Sequence, residues 1–136
     1  MKQFSATLRV RYAETDQMGF VYYGNYAAYY ETGRVELLRQ MGTTYRQLEE
    51  SGVLMPVTQL VCNFYRPAKY DDLLTITTSI KSLTETRIEF EYSIINEEGV
   101  ELNKGFTQLA FISKHNMRPC RIPEWFKSLI LSYSGL

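Results

Sequence analysis

The segment DQMGFVYYGNY brings an acid, two glycines and the start of a predicted helix close together. Asp16 follows a predicted strand, and Gly19 allows a close approach of backbone to ligand because it has no side chain. The first N–H groups of a helix lack intrahelical acceptors, so those of Tyr22, Tyr23 and Gly24 are expected to be unpaired. A carboxylate can serve as a nucleophile or as a base for water, and unpaired N–H groups can stabilise an oxygen that gains charge. The alternative is a turn aspartate without a chemical role, since aspartate is common in turns.

The residues on both sides of this segment predict the elements that hold it. Apolar residues alternate with polar ones over residues 4–12, which indicates a strand with one buried face. Apolar and aromatic residues then recur at helical spacing over residues 26–41, with Asn25 as the N-cap and Gly42 as the stop. The strand positions expected to be buried are Phe4, Ala6, Leu8, Val10 and Tyr12.

The rest of the chain predicts a sheet. A short helix is expected over residues 44–50, and a terminal helix is expected to begin at Pro123. Strands are predicted at residues 57–65, 73–83, 86–96 and 100–112, the last three as an antiparallel meander. Because one helix covers only part of such a sheet, a second copy of the chain is expected to cover the rest or to continue the sheet edge.

Composition limits the function classes. The 136 residues fit a single domain, residues 1–136, and 15 basic residues balance 15 acidic ones, which argues against nucleic-acid binding. The start of the chain lacks the apolar core of a signal peptide and no run is long enough to span a membrane, so a cytoplasmic protein without membrane insertion is expected. Cys62 and Cys120 have neither CxxC spacing nor nearby histidines, so no disulfide and no zinc site are expected.

The string YAETDQMGFVYYGNYAAYYETGR, with FYRPAKYDDLLTITTSI and RPCRIPEWF further on, resembles the hotdog-fold thioesterases of the 4-hydroxybenzoyl-CoA thioesterase-like family. The resemblance spans nearly the whole chain. It implies an α+β hotdog fold, in which a curved antiparallel sheet wraps a long central helix and two sheets join edge to edge in a dimer. It also implies a homodimer or homotetramer with active sites between subunits, and acyl thioesters of coenzyme A as substrates.

The resemblance assigns roles to individual residues. Asp16 is expected to be the nucleophile or the general base, with helix N–H groups polarising the carbonyl, and Tyr23 is expected to line the site. Many short-chain members have histidine at the position of Tyr23, so the histidine's role does not carry over. No cofactor is implied. The residues expected to bind substrate are Gly19, Val21, Tyr22, Gly24, Asn25 and Tyr26.

Several alternatives stay open at the level of sequence. The substrate could be carried by an acyl carrier protein, or the protein could bind acyl thioesters without hydrolysing them. Glu31 is either a second carboxylate facing the substrate or the partner of Arg34 in an exposed ion pair, and His115 is expected at the surface. An apolar slot is expected around Val21, Tyr23 and Leu60. Candidates for binding the coenzyme A phosphates are Arg66, Lys69, Arg87, Lys104, Lys114 and Arg118.

Overall fold

The structure, a computed structural model, describes residues 2–136 and contains a five-stranded antiparallel sheet. In chain order the elements are β1 (Gln3–Arg9), α1 (Tyr26–Gln40), α2 (Tyr45–Glu50), β2 (Val53–Leu54), β3 (Val57–Phe64), β4 (Leu73–Leu83), β5 (Arg87–Ile95), β6 (Glu101–Ala110), β7 (Ile112–Ser113) and α3 (Glu124–Tyr133). The strand order is β1-β4-β5-β6-β3, and β2 and β7 form a separate pair. No helix between residues 2 and 136 is long and apolar enough to cross a membrane.

The long strands follow the predicted order, and β4, β5 and β6 form the predicted antiparallel meander. β1 is shorter than predicted, because its pairing with β4 ends where Arg9 lies opposite Leu73. Tyr12 then begins a 3₁₀ turn and its side chain is 78% exposed. The prediction that Tyr12 lies on the buried face is therefore wrong: the alternation of residue types continues beyond the end of the ladder.

The helix α1 packs against the sheet with the predicted apolar stripe. Tyr29, Tyr30 and Leu37 are almost fully buried on this face, against β1, β4 and β5. The helix ends at Gln40, and Gly42 follows with a φ of 93°, a left-handed conformation that glycine adopts without strain.

The helix α1 lies very close to the sheet at Gly33. A Cβ atom there would collide with the hydroxyl of Thr78 on β4 and would lie 3.0 Å from Cγ2 of Ile76. The buried Thr78 hydroxyl has no hydrogen-bond partner within the described residues. Glycine at this position therefore lets the helix backbone lie directly on the strand.

The shorter helices also follow the sequence. Thr44 caps α2 by accepting a hydrogen bond from the backbone N–H of Gln47 at 3.1 Å. The terminal helix α3 begins one residue after Pro123 and buries Phe126 and Ile130. The two-residue strand β2 was not predicted, since an element this short carries no periodicity. The strand predicted over residues 100–112 ends at Ala110 in β6, and Ile112 belongs to the separate strand β7.

The two edge strands differ in what they expose. On β1 the exposed positions are polar, and Gln40 Nε2 donates a hydrogen bond to the Ser5 carbonyl at 3.0 Å. On β3 nearly every side chain is exposed, although this strand is rich in apolar residues. The exposed apolar side chains on β3 are Val57, Leu60, Val61 and Phe64.

Candidate active site

Asp16 lies in a tight loop after β1. Its backbone N–H donates to the Phe20 carbonyl at 2.7 Å, and its carbonyl accepts from the Gly19 N–H at 3.0 Å. Gly19 has a φ of 83°, which this turn requires. The carboxylate oxygen Oδ1 accepts from the backbone N–H groups of Met18 at 2.9 Å and Phe20 at 3.2 Å. Oδ2 has no hydrogen-bond partner among residues 2–136, so one oxygen fixes the loop and the other is available for chemistry.

A 3₁₀ turn over residues 23–25 leads into α1. In the described part of the chain, the backbone N–H groups of Tyr23 and Gly24 have no protein acceptor. The N–H of Tyr22 was expected to be unpaired as well, but it donates to the Glu14 carbonyl at 2.9 Å. Two N–H groups, not three, are therefore available at this helix start.

Asn25 occupies the predicted N-cap position but its side chain does not cap the helix. Its backbone is already helical, and Nδ2 donates to the Glu14 carbonyl at 2.8 Å. Asn25 therefore ties the helix start to the chain segment before Asp16, and its side-chain donor is not directed at the hollows described next.

A largely apolar hollow of about 300 Å³ surrounds Asp16. It brings together four of the residues expected from the sequence, among which Tyr23 is 67% exposed while Val21 and Tyr26 are buried. The other four, Gly19, Tyr22, Gly24 and Asn25, do not line it. The lining of this Asp16 hollow consists of Asp16, Met18, Phe20, Val21, Tyr23, Tyr26, Phe64, Tyr65, Arg66 and Pro67.

A second apolar hollow of about 310 Å³ adjoins the first. Tyr23 and Phe64 line both hollows, so these two aromatic side chains separate them. The predicted slot is thus divided, with Val21 on one side and Leu60 on the other. The lining of this Ala27 hollow consists of Tyr23, Gly24, Ala27, Leu60, Cys62 and Phe64.

One wall of the Asp16 hollow was not predicted as part of the site. The chain from Phe64 to Pro67, at the end of β3, lies opposite the Asp16 loop. The stretch FYRPAKY was the available signal, because it carried part of the family resemblance. Among the basic residues proposed for phosphate binding, Arg66 alone lines this hollow, and it forms no ion pair within residues 2–136.

Other candidate residues lie elsewhere. Glu31 is exposed and forms no ion pair with Arg34, which is only 7% exposed and donates to the hydroxyls of Tyr45 and Tyr92 at 3.0 and 3.1 Å. The prediction of an exposed ion pair between Glu31 and Arg34 is therefore wrong.

His115 is exposed, as predicted. A hollow of about 440 Å³, larger than the Asp16 and Ala27 hollows, lies on the outer sheet face and does not include Asp16. Residues 2–136 contain no group of three or more His, Cys, Asp or Glu side chains that could hold a metal ion.

Comparison with known proteins identifies the family. The model of the thioesterase-like superfamily matches residues 10–130. The chain belongs to this superfamily. The chain is 33% identical over 121 residues to the acyl-CoA thioester hydrolase YbgC of Escherichia coli. The aligned residues make up 89% of this chain and 90% of YbgC.

Two further relatives act on substrates with named acyl groups. The chain is 30% identical over 124 residues to the 1,4-dihydroxy-2-naphthoyl-CoA hydrolase of Thermosynechococcus vestitus, covering 88% of this chain and 85% of that one. A solved structure of a DHNA-CoA thioesterase from Staphylococcus aureus is 31% identical to this chain and superposes on it with a TM-score of 0.92. The superposition covers 99% of this chain and 91% of that one. These likenesses confirm the predicted thioesterase family and hotdog fold.

Proposed function

We propose that this protein hydrolyses acyl-CoA thioesters, with Asp16 as the catalytic carboxylate. The observation that carries the proposal is a free carboxylate oxygen of Asp16 beside an unpaired helix start: Tyr23 lines the Asp16 hollow and the adjoining one, and Gly24 lines the adjoining one. The curated relatives named as acyl-CoA thioester hydrolases support the same reaction class.

The helix start supplies the electrophilic half of the mechanism. The N–H groups of Tyr23 and Gly24 donate to the thioester oxygen, which gains negative charge as the carbonyl carbon is attacked. The positive end of the α1 dipole strengthens this interaction, and the apolar walls reduce competition from water.

Asp16 then acts by one of two routes. As a nucleophile, Oδ2 attacks the carbonyl carbon, the C–S bond breaks, the thiolate leaves and takes a proton, and water hydrolyses the resulting anhydride. As a base, Asp16 removes a proton from water, the hydroxide attacks, and the same C–S bond breaks. Both routes need the carboxylate charge at the same place.

The substrate enters along the two hollows. The apolar lining fits an acyl group and the pantetheine arm, while Arg66 at the rim provides a cation for a coenzyme A phosphate. The exposed face of Tyr23 and the ring of Phe64 favour flat or unbranched acyl groups.

The active assembly is proposed to be a dimer that joins two β3 edges, with further association to a tetramer. The exposed apolar residues of β3 are unusual for a free edge strand, whereas the edge at β1 is polar. Residues 64–67 form a wall of the Asp16 hollow at the end of β3, so the partner's β3 would close the site.

The proposed location is the cytoplasm. The two free thiols of Cys62 and Cys120 suit its reducing environment.

The mechanism is tested by replacing Asp16 with asparagine. This change removes the charge but keeps an oxygen that can accept from the Met18 and Phe20 N–H groups. We expect kcat to fall by about 10²–10⁴-fold, measured as thiol release from short, medium, long and aromatic acyl-CoAs.

The matched control is Asp71→Asn. Asp71 is an exposed loop aspartate that does not line the Asp16 hollow, so its asparagine variant should keep wild-type turnover. Near wild-type turnover in Asp16→Asn would contradict the mechanism. Absence of thiol release from every acyl-CoA, with binding retained, would instead indicate a non-catalytic protein.

A further inference from the structure

Glu14, two residues before Asp16, is held by hydrogen bonds to both its side chain and its backbone. Its Oε1 accepts from the Tyr29 hydroxyl at 3.0 Å and from the Arg11 N–H at 2.9 Å. Its backbone carbonyl accepts from Asn25 Nδ2 at 2.8 Å and from the Tyr22 N–H at 2.9 Å. Tyr22 and Asn25 belong to the segment that leads into α1, and Tyr29 lies in the first turn of α1, so Glu14 is a point at which the loop is attached to the helix.

The burial of this contact makes it rigid. Tyr29 is 3% exposed, and the side chain of Glu14 is 17% exposed. Burial and the adjacent Glu14 carboxylate raise the pKa of Tyr29, so its hydroxyl keeps the proton that it donates. A buried hydrogen bond to a charged acceptor is stronger than one between neutral groups, and it constrains both partners.

We propose that Glu14, Asn25 and Tyr29 form a clasp that positions Asp16 against the N–H groups of Tyr23 and Gly24. The Asp16 loop is closed by its own hydrogen bonds, so fixing Glu14 and the helix start fixes the distance between the carboxylate and those N–H groups. The clasp residues touch no substrate. Their role rests on the proposed function, since they act through the catalytic geometry.

The kinetic test uses Tyr29→Phe, which removes one hydroxyl and keeps the ring packed against Tyr26. Because displacements of about 1 Å can cost about 100-fold in rate, we expect kcat to fall at least about tenfold while KM changes less than about twofold. Asn25→Ala should act in the same direction and serves as the second variant if Tyr29→Phe does not fold.

Two comparisons separate positioning from general stability. Tyr92→Phe removes another buried hydroxyl, bonded to Arg34 and Thr107, and should lower the melting temperature without lowering kcat per folded site. Glu14→Gln keeps an acceptor for Tyr29 and should retain more of kcat than Glu14→Ala, which has none. Equal loss in both Glu14 variants, or in Tyr92→Phe, would overturn the positioning role.

Amide hydrogen exchange tests the clasp without reference to activity. In Tyr29→Phe and Asn25→Ala, the amides of residues 16–22 should exchange faster than in the wild type, while those of β4 and β5 should not change. Unchanged exchange in residues 16–22 would overturn the clasp. Faster exchange with unchanged kcat would show that it holds the loop without positioning catalysis. Failure of the wild type to hydrolyse any acyl-CoA would overturn the proposed function and leave the exchange result interpretable.

Discussion

The two oxygens of Asp16 have different surroundings, and this difference determines which substitutions are informative. Oδ1 accepts two backbone N–H groups of its own loop, while Oδ2 has no protein partner within residues 2–136. Alanine at this position would remove both the loop contacts and the charge. Asparagine removes only the charge, so a loss of turnover in that variant can be assigned to chemistry.

At Arg66 we expect an effect on substrate binding and none on chemistry. Arg66→Gln should raise KM for acyl-CoA about two- to fivefold, since an exposed charge pair is worth about 0.2–1 kcal/mol. KM for the corresponding N-acetylcysteamine thioester, which has no phosphate, should not change. Steady-state kinetics on both substrates check this expectation.

The matched control for Arg66 is Arg46→Gln. Arg46 is exposed on α2 and lines neither the Asp16 hollow nor the Ala27 hollow, so its loss should change KM for neither substrate. An equal rise in KM for both substrates in Arg66→Gln would show that Arg66 does not bind a phosphate.

Sequence predicted that Asp16 and Tyr23 lie close together, as they do in the Asp16 hollow, but not all contacts of the residues around them. The juxtaposition of Asp16 and Tyr23 follows from a strand, a short loop and a helix start, which the pattern of residues specifies. The direction of the Asn25 side chain does not follow from the pattern of residues. An amide has both an acceptor and donors, so it can either cap a helix or donate to a neighbouring carbonyl. Arg34 was placed at the surface because its type favours exposure, whereas the hydroxyls that bury it lie far along the chain at Tyr45 and Tyr92.

At the scale of elements, β3 is the strand that connects fold and site. Its even-numbered residues Leu60, Cys62 and Phe64 face α1 in the Ala27 hollow, while Val61 and Asn63 line the hollow on the outer sheet face. Sequence identified this strand from its β-branched and aromatic residues. Its position at the sheet edge could not be predicted from sequence alone, because pairing order depends on contacts between distant segments.

We expect Val61→Lys to prevent the proposed association through β3. Val61 is 38% exposed in the single chain, so lysine is tolerated there, but the charge would be repeated at a β3–β3 junction and would repel its copy. Sedimentation velocity should then show the mass of a single chain, and turnover should fall with it.

Thr7→Lys provides the control for this prediction. Thr7 is an exposed residue on β1, the opposite edge, where lysine should leave the assembly intact. Dissociation of Thr7→Lys with intact association of Val61→Lys would place the interface at the other edge.

At the scale of the whole molecule, the core contains polar groups among its apolar ones. Tyr92 bonds to both Arg34 and Thr107, and Tyr30 donates to Asn103 and stacks on Tyr92 with ring centroids 4.3 Å apart. Burial raises the pKa of Tyr92 to about 12 and also raises that of Tyr30. These hydroxyls therefore keep their protons to a higher pH than an ordinary tyrosine does.

The buried tyrosines predict a loss of stability at high pH. Above about pH 10, tyrosines of the unfolded chain lose their protons while Tyr29, Tyr30 and Tyr92 keep theirs. The folded state then binds more protons, so the free energy of unfolding falls as pH rises, by up to about 1.4 kcal/mol per pH unit for each tyrosine. Below about pH 10 this contribution is fully present. Urea unfolding between pH 8 and 11.5, together with tyrosinate absorbance, measures it.

Two variants make this test specific. Tyr30→Phe should reduce the slope of the free energy of unfolding against pH by the contribution of one tyrosine. Tyr12→Phe changes a side chain that is 78% exposed and should leave this slope unchanged. A free energy of unfolding that stays constant from pH 8 to 11.5 would contradict the assignment of the buried hydroxyls.

In the proposed mechanism, the close packing of Gly33 against Thr78 influences the geometry of the active site. Gly33 lies ten residues after Tyr23, so a 3₁₀ turn and about 10 Å of α1 join this contact to the N–H groups at the helix start. A side chain at position 33 would push α1 away from β4 and tilt the helix, and the tilt would displace the N-terminus of α1. In that mechanism, the orientation of those N–H groups depends in part on the packing of Gly33, two to three turns away, which touches neither Asp16 nor either hollow.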